Sequence, residues 1–527
     1  MKPLEFGPWG VVFNATTYGP SCMQSIWSNS RRLIPNTNIS EDCLQLNIYV
    51  PRKIAPASKY AVMVYVHGGS FVQGQGTSFD GSLLALRGDI IVVTINYRLN
   101  VFGYLSTDDP RVKGNIGLYD QQMAFRWVNA NIADYGGDQR RITIFGHSAG
   151  SLSVTLHAML PQNMGLFQRV IGQSGSGLEP SIVSTIATKN SSLEIAIVLG
   201  CAPNNMSVDI QCMQSISADD LFTAYRKVKQ RPKLFYSQHG NFYPVIDDEL
   251  IHADLIQRLH KPYTPEARIL HSVDLMIGSV EGEGGWIYWS LWEKQKEWNI
   301  NPSVGIDKNV FCNRVIPGIV REKYENCTSI MHSICKEYSS NVSIANQTQM
   351  MSDMVSDMEV VAPTILLLDL HSITSGKSSY QYLFSHLPAW ELDSWRPAWL
   401  KGPNHGSEVT FVAGLDWYPS TVKISPEERA LSDRMMDFWS QFAKTGNPNG
   451  SNSKETWPSY TLGDRKYLDF DLNDSVGAYL HGEKIPLWNR VIPEELRTCI
   501  QERGTKHKVD QLIIFGNDEC IMSQSYV

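Results

Sequence analysis

The sequence predicts an α/β fold for these 527 residues: a central, mostly parallel, twisted sheet with helices on both faces. Two observations carry this. Short apolar runs recur that are continuous and β-branched rather than alternating, the pattern of strands covered on both sides. Stretches of helical periodicity separate them. In chain order the strand candidates are 44–50, 61–66, 90–95, 142–145, 170–172, 274–278 and 380–385. A helix is expected over 120–133, with Met123, Phe125, Trp127 and Val128 on its apolar side. A second is expected over 429–443, carrying Met435, Met436, Phe438, Trp439 and Phe442. The stretch 281–349, rich in aromatics, cysteines and sequons, is read as a helical insertion over the sheet. The polar run 445–453 is read as a surface loop rather than a boundary. One domain over 1–527 is therefore expected, with a polar tail from about residue 500.

Composition narrows the function. Hydrophobic residues at 43% and charged residues at 19% describe an ordinary globular protein with a large core. The formal charge of −7 comes without a basic run, which argues against nucleic acid and mildly favours cationic ligands. No apolar stretch is long enough to span a membrane. Met1-Lys2-Pro3-Leu4-Glu5-Phe6 lacks the apolar segment of a signal peptide. Sequons nevertheless occur at Asn14, Asn38, Asn190, Asn205, Asn326, Asn341, Asn346, Asn449 and Asn473, and with the cysteines they favour a secreted glycoprotein.

Cysteines are found at 22, 43, 201, 212, 312, 327, 335, 499 and 520. None forms a C-x-x-C pair and none has zinc spacing, so no metal is expected. The short loops Cys22 to Cys43 and Cys201 to Cys212 suit local disulfides. An odd total leaves one sulfur over. Cys520 is either an intermolecular bridge or a free thiol, and a homodimer would form through it or through the C-terminal helix.

The chemistry is concentrated in Gly146-His147-Ser148-Ala149-Gly150, a G-x-S-x-G directly after the run Ile142-Thr143-Ile144-Phe145. A strand turning sharply into a helix strains the backbone. The gain is a serine hydroxyl held clear of the sheet, with the next N–H free for an oxyanion. His67-Gly68-Gly69-Ser70-Phe71 follows the strand at 61–66. Successive glycines there let N–H groups converge, so Gly69, Ser70 and Ala149 are the expected oxyanion donors.

These motifs do not stand alone. Ser40-Glu41-Asp42-Cys43-Leu44-Gln45-Leu46-Asn47, Asn96-Tyr97-Arg98-Leu99 and Gly114-Asn115-Ile116-Gly117-Leu118-Tyr119-Asp120-Gln121 accompany them, as do Phe125-Arg126-Trp127-Val128, Gly136-Gly137-Asp138 and Gln173-Ser174-Gly175-Ser176. With them the chain resembles the type-B carboxylesterase and cholinesterase family of α/β-hydrolases, from about residue 8 to about residue 495. The resemblance implies that Gly278-Ser279-Val280-Glu281-Gly282-Glu283-Gly284 supplies the acid, Glu283, with Glu281 as competitor. It implies that His405-Gly406-Ser407-Glu408 supplies the histidine, His405. Ser148, Glu283 and His405 then follow the chain order of this fold. The expected activity is hydrolysis of small carboxylic esters through an acyl-enzyme, with no metal or organic cofactor.

The resemblance also implies disulfides Cys22–Cys43 and Cys201–Cys212. The family's third bridge lacks its upstream cysteine, since Ala362 stands there. Cys499 then needs another partner or none, and Cys312, Cys327 and Cys335 are left to pair among themselves. Leu33 occupies the place of the choline-binding tryptophan, with Trp27 as a substitute or a packing residue. Trp286, with Tyr288, Trp289 and Trp292, lines an apolar entrance or packs inward. Ser181 stands at the acyl-pocket tryptophan and leaves room for larger acyl groups. His147 replaces the glutamate that most active members carry before the serine. The chain joins the family pattern only at Phe6-Gly7-Pro8-Trp9, so a shortened start is expected. Two other readings share the motifs: a cholinesterase, and a non-catalytic neuroligin-like adhesion protein that would lack the triad.

Overall fold

A computed structural model describes residues 1–5, 7, 10, 14–25, 38–51, 59–179, 185–204, 206–229, 242–373, 376–392, 396–415, 423–450 and 457–502. Leu33, Trp27, Ser181, Asn205 and Cys520 lie outside these residues.

Among the described residues nine strands form one sheet in the order β1-β3-β2-β4-β5-β6-β7-β8-β9. They are Leu46–Tyr49, Tyr60–Val66, Ile91–Ile95, Gly137–His147, Arg169–Gln173, Asp274–Val280, Ser379–Phe384, Lys466–Phe470 and Ser475–Ala478, numbered β1 to β9. Only the two rims, β1 on β3 and β9 on β8, pair antiparallel. β2, β3 and β6 are buried at every position, as continuous apolar runs require when helices cover both faces.

Alternation sorts each strand between two cores. Val62, Val64, Val66, Ile142 and Ile144 point into one. Met63, Tyr65, Phe145 and Met276 point into the other, with Met435, Trp439 and Phe442 of the helix Pro426–Thr445. Each aliphatic side chain so buried contributes about 1.5–3 kcal/mol. Pro426–Thr445 starts on a capping box, Ser425 with Glu428, and stops on Gly446 at φ 81°. The helix Ile116–Asn131 buries Phe125 and Val128 as expected, but also Asp120, Gln121 and Gln122. Asp120 is held by Arg98, through Nε at 2.8 Å and Nη2 at 2.5 Å. Gln121 meets Ser153 and His157, and Gln122 meets Asn163.

One expectation needs correction, and one element had no counterpart among the expected strands. β4 begins at Gly137 rather than at 142, with a register irregularity opposite Tyr60/Val62. The hairpin β8–β9 was not expected, because its strands are short and largely polar.

Beyond β6 the insertion builds a third core around Ile287, Leu291, Phe311, Ile319, Ile334 and Met354, reached by Trp488, Ile492 and Leu496 from the far end of the chain. Among the described residues four disulfides close loops: Cys22–Cys43, Cys201–Cys212, Cys312–Cys335 and Cys327–Cys499. Cys312 and Cys335 do pair within the insertion, but Cys327 joins Cys499 instead. The reason is packing: the helices Thr328–Glu337 and Ile492–Glu502 share the third core, which brings Cys327 onto the last described helix.

Candidate active site

The strand β4 ends at His147, and the helix Ala149–His157 begins two residues later. Ser148 alone makes the turn, at φ 56° and ψ −125°. Such a conformation costs a non-glycine residue on the order of 1–3 kcal/mol. Both motif glycines are explained by contact. A Cβ on Gly146 would lie 2.6 Å from Gly150 carbonyl atoms, and one on Gly150 would lie 2.0 Å from the Val66 oxygen. The Ser148 N–H donates to Gln173 O at 2.9 Å, tying the elbow to β5.

The loop after β2 passes directly over the serine. A Cβ on Gly68 would sit 2.5 Å from His147 O and 3.0 Å from Ser148 Cβ. Gly69, Ser70 and Phe71 all have positive φ, at 111°, 55° and 60°. The carbonyl of Gly69 accepts from Val72 and Gln73, which turns the loop back on itself. His67 braces it from behind: its ring stacks on Tyr97 at 4.3 Å and its Nδ1–H donates to Gly68 O. Burial pushes His67 down to about 4, so it is neutral.

Glu283 opens a turn of 3₁₀ helix after β6 and is 1% exposed. Its Oε1 accepts from Val280 N–H at 2.8 Å and its Oε2 from His405 Nδ1 at 2.5 Å. The neighbouring amide of Gly284 donates to Ser356 Oγ, and a Cβ at Gly284 would lie 2.0 Å from Ser352 O. Glu281 is exposed and sits against Gly402 instead. His405 lies on a loop pinned by the Gly282–Pro403 hydrogen bond. Burial opposes ionisation of His405, but the charge and hydrogen bond of Glu283 outweigh it and raise its pKa above 6.5. No hydrogen bond joins Ser148 Oγ to His405 among the described residues; in free enzymes such contacts are often loose and tighten with substrate.

Apart from His147, which its place before the serine had already marked, several neighbours were not legible as site residues. Ser174, at φ 60°, donates from Oγ to Glu408 Oε1 at 3.1 Å. Burial first, and the charge of Glu283 second, push Glu408 up to about 7. His147 lies with its ring against His405. Lys323 Nζ lies 3.4 Å from both Glu179 and Glu359, with its side chain almost fully buried, and Glu359 is close enough for its charge to favour ionised His405. H-G-S-E and Q-S-G-S carried the signal for Glu408 and Ser174; nothing in the spacing marked Lys323.

The aromatic stripe after Glu283 divides. Tyr288 is buried in the insertion core, whereas Trp289 and Trp292 are 45% and 47% exposed, and Trp286 is intermediate. Of the sequons, Asn14, Asn38, Asn190, Asn326, Asn341, Asn346 and Asn473 are exposed. Asn449 is partly buried, and its amide bonds Trp457 N–H and O. Among the described residues no His, Cys, Asp and Glu cluster has metal-binding geometry, and no helix is long and apolar enough to cross a membrane.

A mostly parallel sheet, a serine at a strained strand–helix turn and a carboxylate-bound histidine on later loops define an α/β-hydrolase. The Carboxylesterase family model matches residues 1–488. The chain is 30% identical to acylcarnitine hydrolase of Mus musculus, over 96% of this chain and 87% of that protein. It is 30% identical to cocaine esterase of Homo sapiens (96% and 88% covered) and 31% identical to cocaine esterase of Oryctolagus cuniculus (97% and 92%). The chain belongs to the carboxylesterase family and is a carboxylic ester hydrolase.

Proposed function

We propose that this esterase works through a Ser148–His405–Glu283 triad and an acyl-enzyme, in one catalytic domain. The observation that carries the reading is the buried Glu283 carboxylate bound to His405 Nδ1 beside the strained Ser148 elbow. With Nδ1–H donated to Glu283, Nε2 is the basic nitrogen. His405 takes the Ser148 proton as Oγ attacks the ester carbonyl, and Glu283 stabilises the imidazolium. The carbonyl oxygen becomes an oxyanion held by the N–H groups of Gly69, Ser70 and Ala149; none of these three donates to another described residue. Each such donor contributes roughly 2.7–4 kcal/mol to the transition state. His405 then protonates the departing alcohol, and water activated by the same nitrogen releases the acid.

Trp286 borders the acid and is assigned to the entrance, with Ser181 and Leu33 as the acyl- and alcohol-side residues. Four disulfides fit an oxidising compartment, and the exposed sequons fit a secreted or lumenal glycoprotein. The relatives' names favour a general esterase over the adhesion and cholinesterase readings, and they extend the substrate panel to acylcarnitines and cocaine.

The test is hydrolysis of p-nitrophenyl butyrate and acetylthiocholine by the protein expressed into an oxidising compartment, as wild type and as Ser148→Ala. Wild-type activity on the butyrate, abolished in Ser148→Ala, is the expected result. Equal rates for the two proteins on both substrates would remove Ser148 from the reaction.

A further inference from the structure

His147 ends β4 and precedes the nucleophile, yet the reaction does not use it. Its ring centroid lies 4.6 Å from that of His405, with the planes tilted by 43°. On the following residue the fit is tight: a Cβ on Gly406 would come within 2.9 Å of His147 Cε1. Its Nε2 is buried and has no hydrogen-bond partner among the described residues. His147 is therefore not fixed by a hydrogen bond at Nε2; it is wedged between the elbow and the histidine loop.

We infer that His147 is a positioning residue for His405: an uncharged ring that backs the catalytic imidazole and leaves Glu283 as its hydrogen-bonded anion. The inference rests on the triad reading.

Two imidazoles in contact share a space that tolerates one proton. Burial drives His147 well below its usual range, and the charge of His405 pushes it the same way. The charged groups acting on His405 come from several packed elements: Glu283 after β6, Glu408 on the helix Ser407–Ala413, and Glu359 in the π-helical turn Asp357–Val361. A proton entering the pair therefore goes to His405, and its partner stays neutral through the reaction. When Ser148 gives up its proton, the new imidazolium finds Glu283 at Nδ1 and an uncharged wall at its side. A carboxylate in place of that wall would stabilise imidazolium before substrate arrives, and so would keep the base protonated to higher pH. A void there would instead let the ring swing off its line to Ser148.

The full chain tests both halves, as His147→Phe, His147→Ala and His147→Glu, read by kcat and KM on p-nitrophenyl butyrate across the pH range. A fluorophosphonate label counts competent serines. His147→Phe keeps a ring and is expected to hold kcat within about threefold, whereas His147→Ala loses about tenfold to 10²-fold with little change in KM. His147→Glu is expected to raise the midpoint of the acid limb of kcat/KM by about one pH unit or more. Equal losses for Phe and Ala, or an unmoved midpoint in His147→Glu, would overturn the inference. Should His147→Ala not fold, the contrast between Phe and Glu still decides. Ser148→Ala separates the failures: if it remains active, the triad reading falls; if it is dead while the His147 variants behave alike, only the positioning role falls.

Discussion

Replacing Glu283 with glutamine removes one charge and changes almost nothing in size. The Gln Oε1 still accepts from Val280 N–H, so the turn after β6 keeps its 2.8 Å hydrogen bond. The other arm changes from acceptor to donor and now faces His405 Nδ1–H, which forces the opposite tautomer and takes the basic nitrogen away from Ser148. The electrostatic part follows from Coulomb's law: charges about 4 Å apart, at an effective dielectric constant near 20, interact by about 4 kcal/mol. That loss alone is roughly 10³-fold in kcat. With the wrong tautomer added, the expected loss approaches about 10⁴-fold. The assay is steady-state hydrolysis of p-nitrophenyl butyrate, with a thermal melt to verify folding and Glu281→Gln as the control. Glu281 is exposed and turned toward Gly402, so its amide should leave kcat nearly unchanged. A second readout is the pH profile. Glu283 holds His405 above its ordinary pKa, so wild-type kcat/KM should fall as pH drops through that raised value, and the residual limb of Glu283→Gln should lie lower. A Glu283→Gln enzyme within tenfold of wild type, or an equal loss in Glu281→Gln, would refute the reasoning.

Gly150→Ala places a methyl against the Val66 carbonyl, and the overpacking is expected to lower stability by about 1–3 kcal/mol and Tm with it, read by calorimetry together with loss of fluorophosphonate labelling. Cys327–Cys499 spans 172 residues and Cys201–Cys212 spans 11; chain entropy gives about 5 against about 3 kcal/mol, so Cys327→Ser/Cys499→Ser should lower Tm more than Cys201→Ser/Cys212→Ser. His481 is opposed by burial but raised by its hydrogen bond to Asp357 and by that residue's charge. Its contribution to stability is therefore complete below about pH 6.5 and lost as pH rises through the folded-state value, so urea midpoints should fall over that window in wild type and less in His481→Ala.

Much of this molecule could be read before it was seen folded, and for definite reasons. β2, β3 and β6 are apolar throughout because they are covered on both faces, and that pattern is local. The turn at Ser148 and the Glu283–His405 contact, on which the proposed triad rests, were legible because each lies in a motif whose glycines touch backbone or a neighbouring ring, as Gly150, Gly284 and Gly406 do. The hairpin β8–β9 was not, since Ser475–Ala478 is mostly exposed and has no apolar rhythm. Periodicity also misread one face of Ile116–Asn131: it counts apolar residues, whereas Asp120, Gln121 and Gln122 are buried by virtue of polar partners far along the chain. The Cys327–Cys499 bridge depends on two helices sharing a core, and spacing carries no trace of that.

β4 stands fourth from one rim of nine strands, with parallel neighbours on either side, while β1 is only half-buried and β9 is mostly exposed. Low-energy openings begin where little apolar surface is covered, so they start at the two margins. Amide exchange should accordingly be fast along Ser475–Ala478 and slow along Ile142–Gly146. As the protein is warmed, ester turnover should persist after the first spectroscopic signs of fraying and disappear only when the middle of the sheet comes apart.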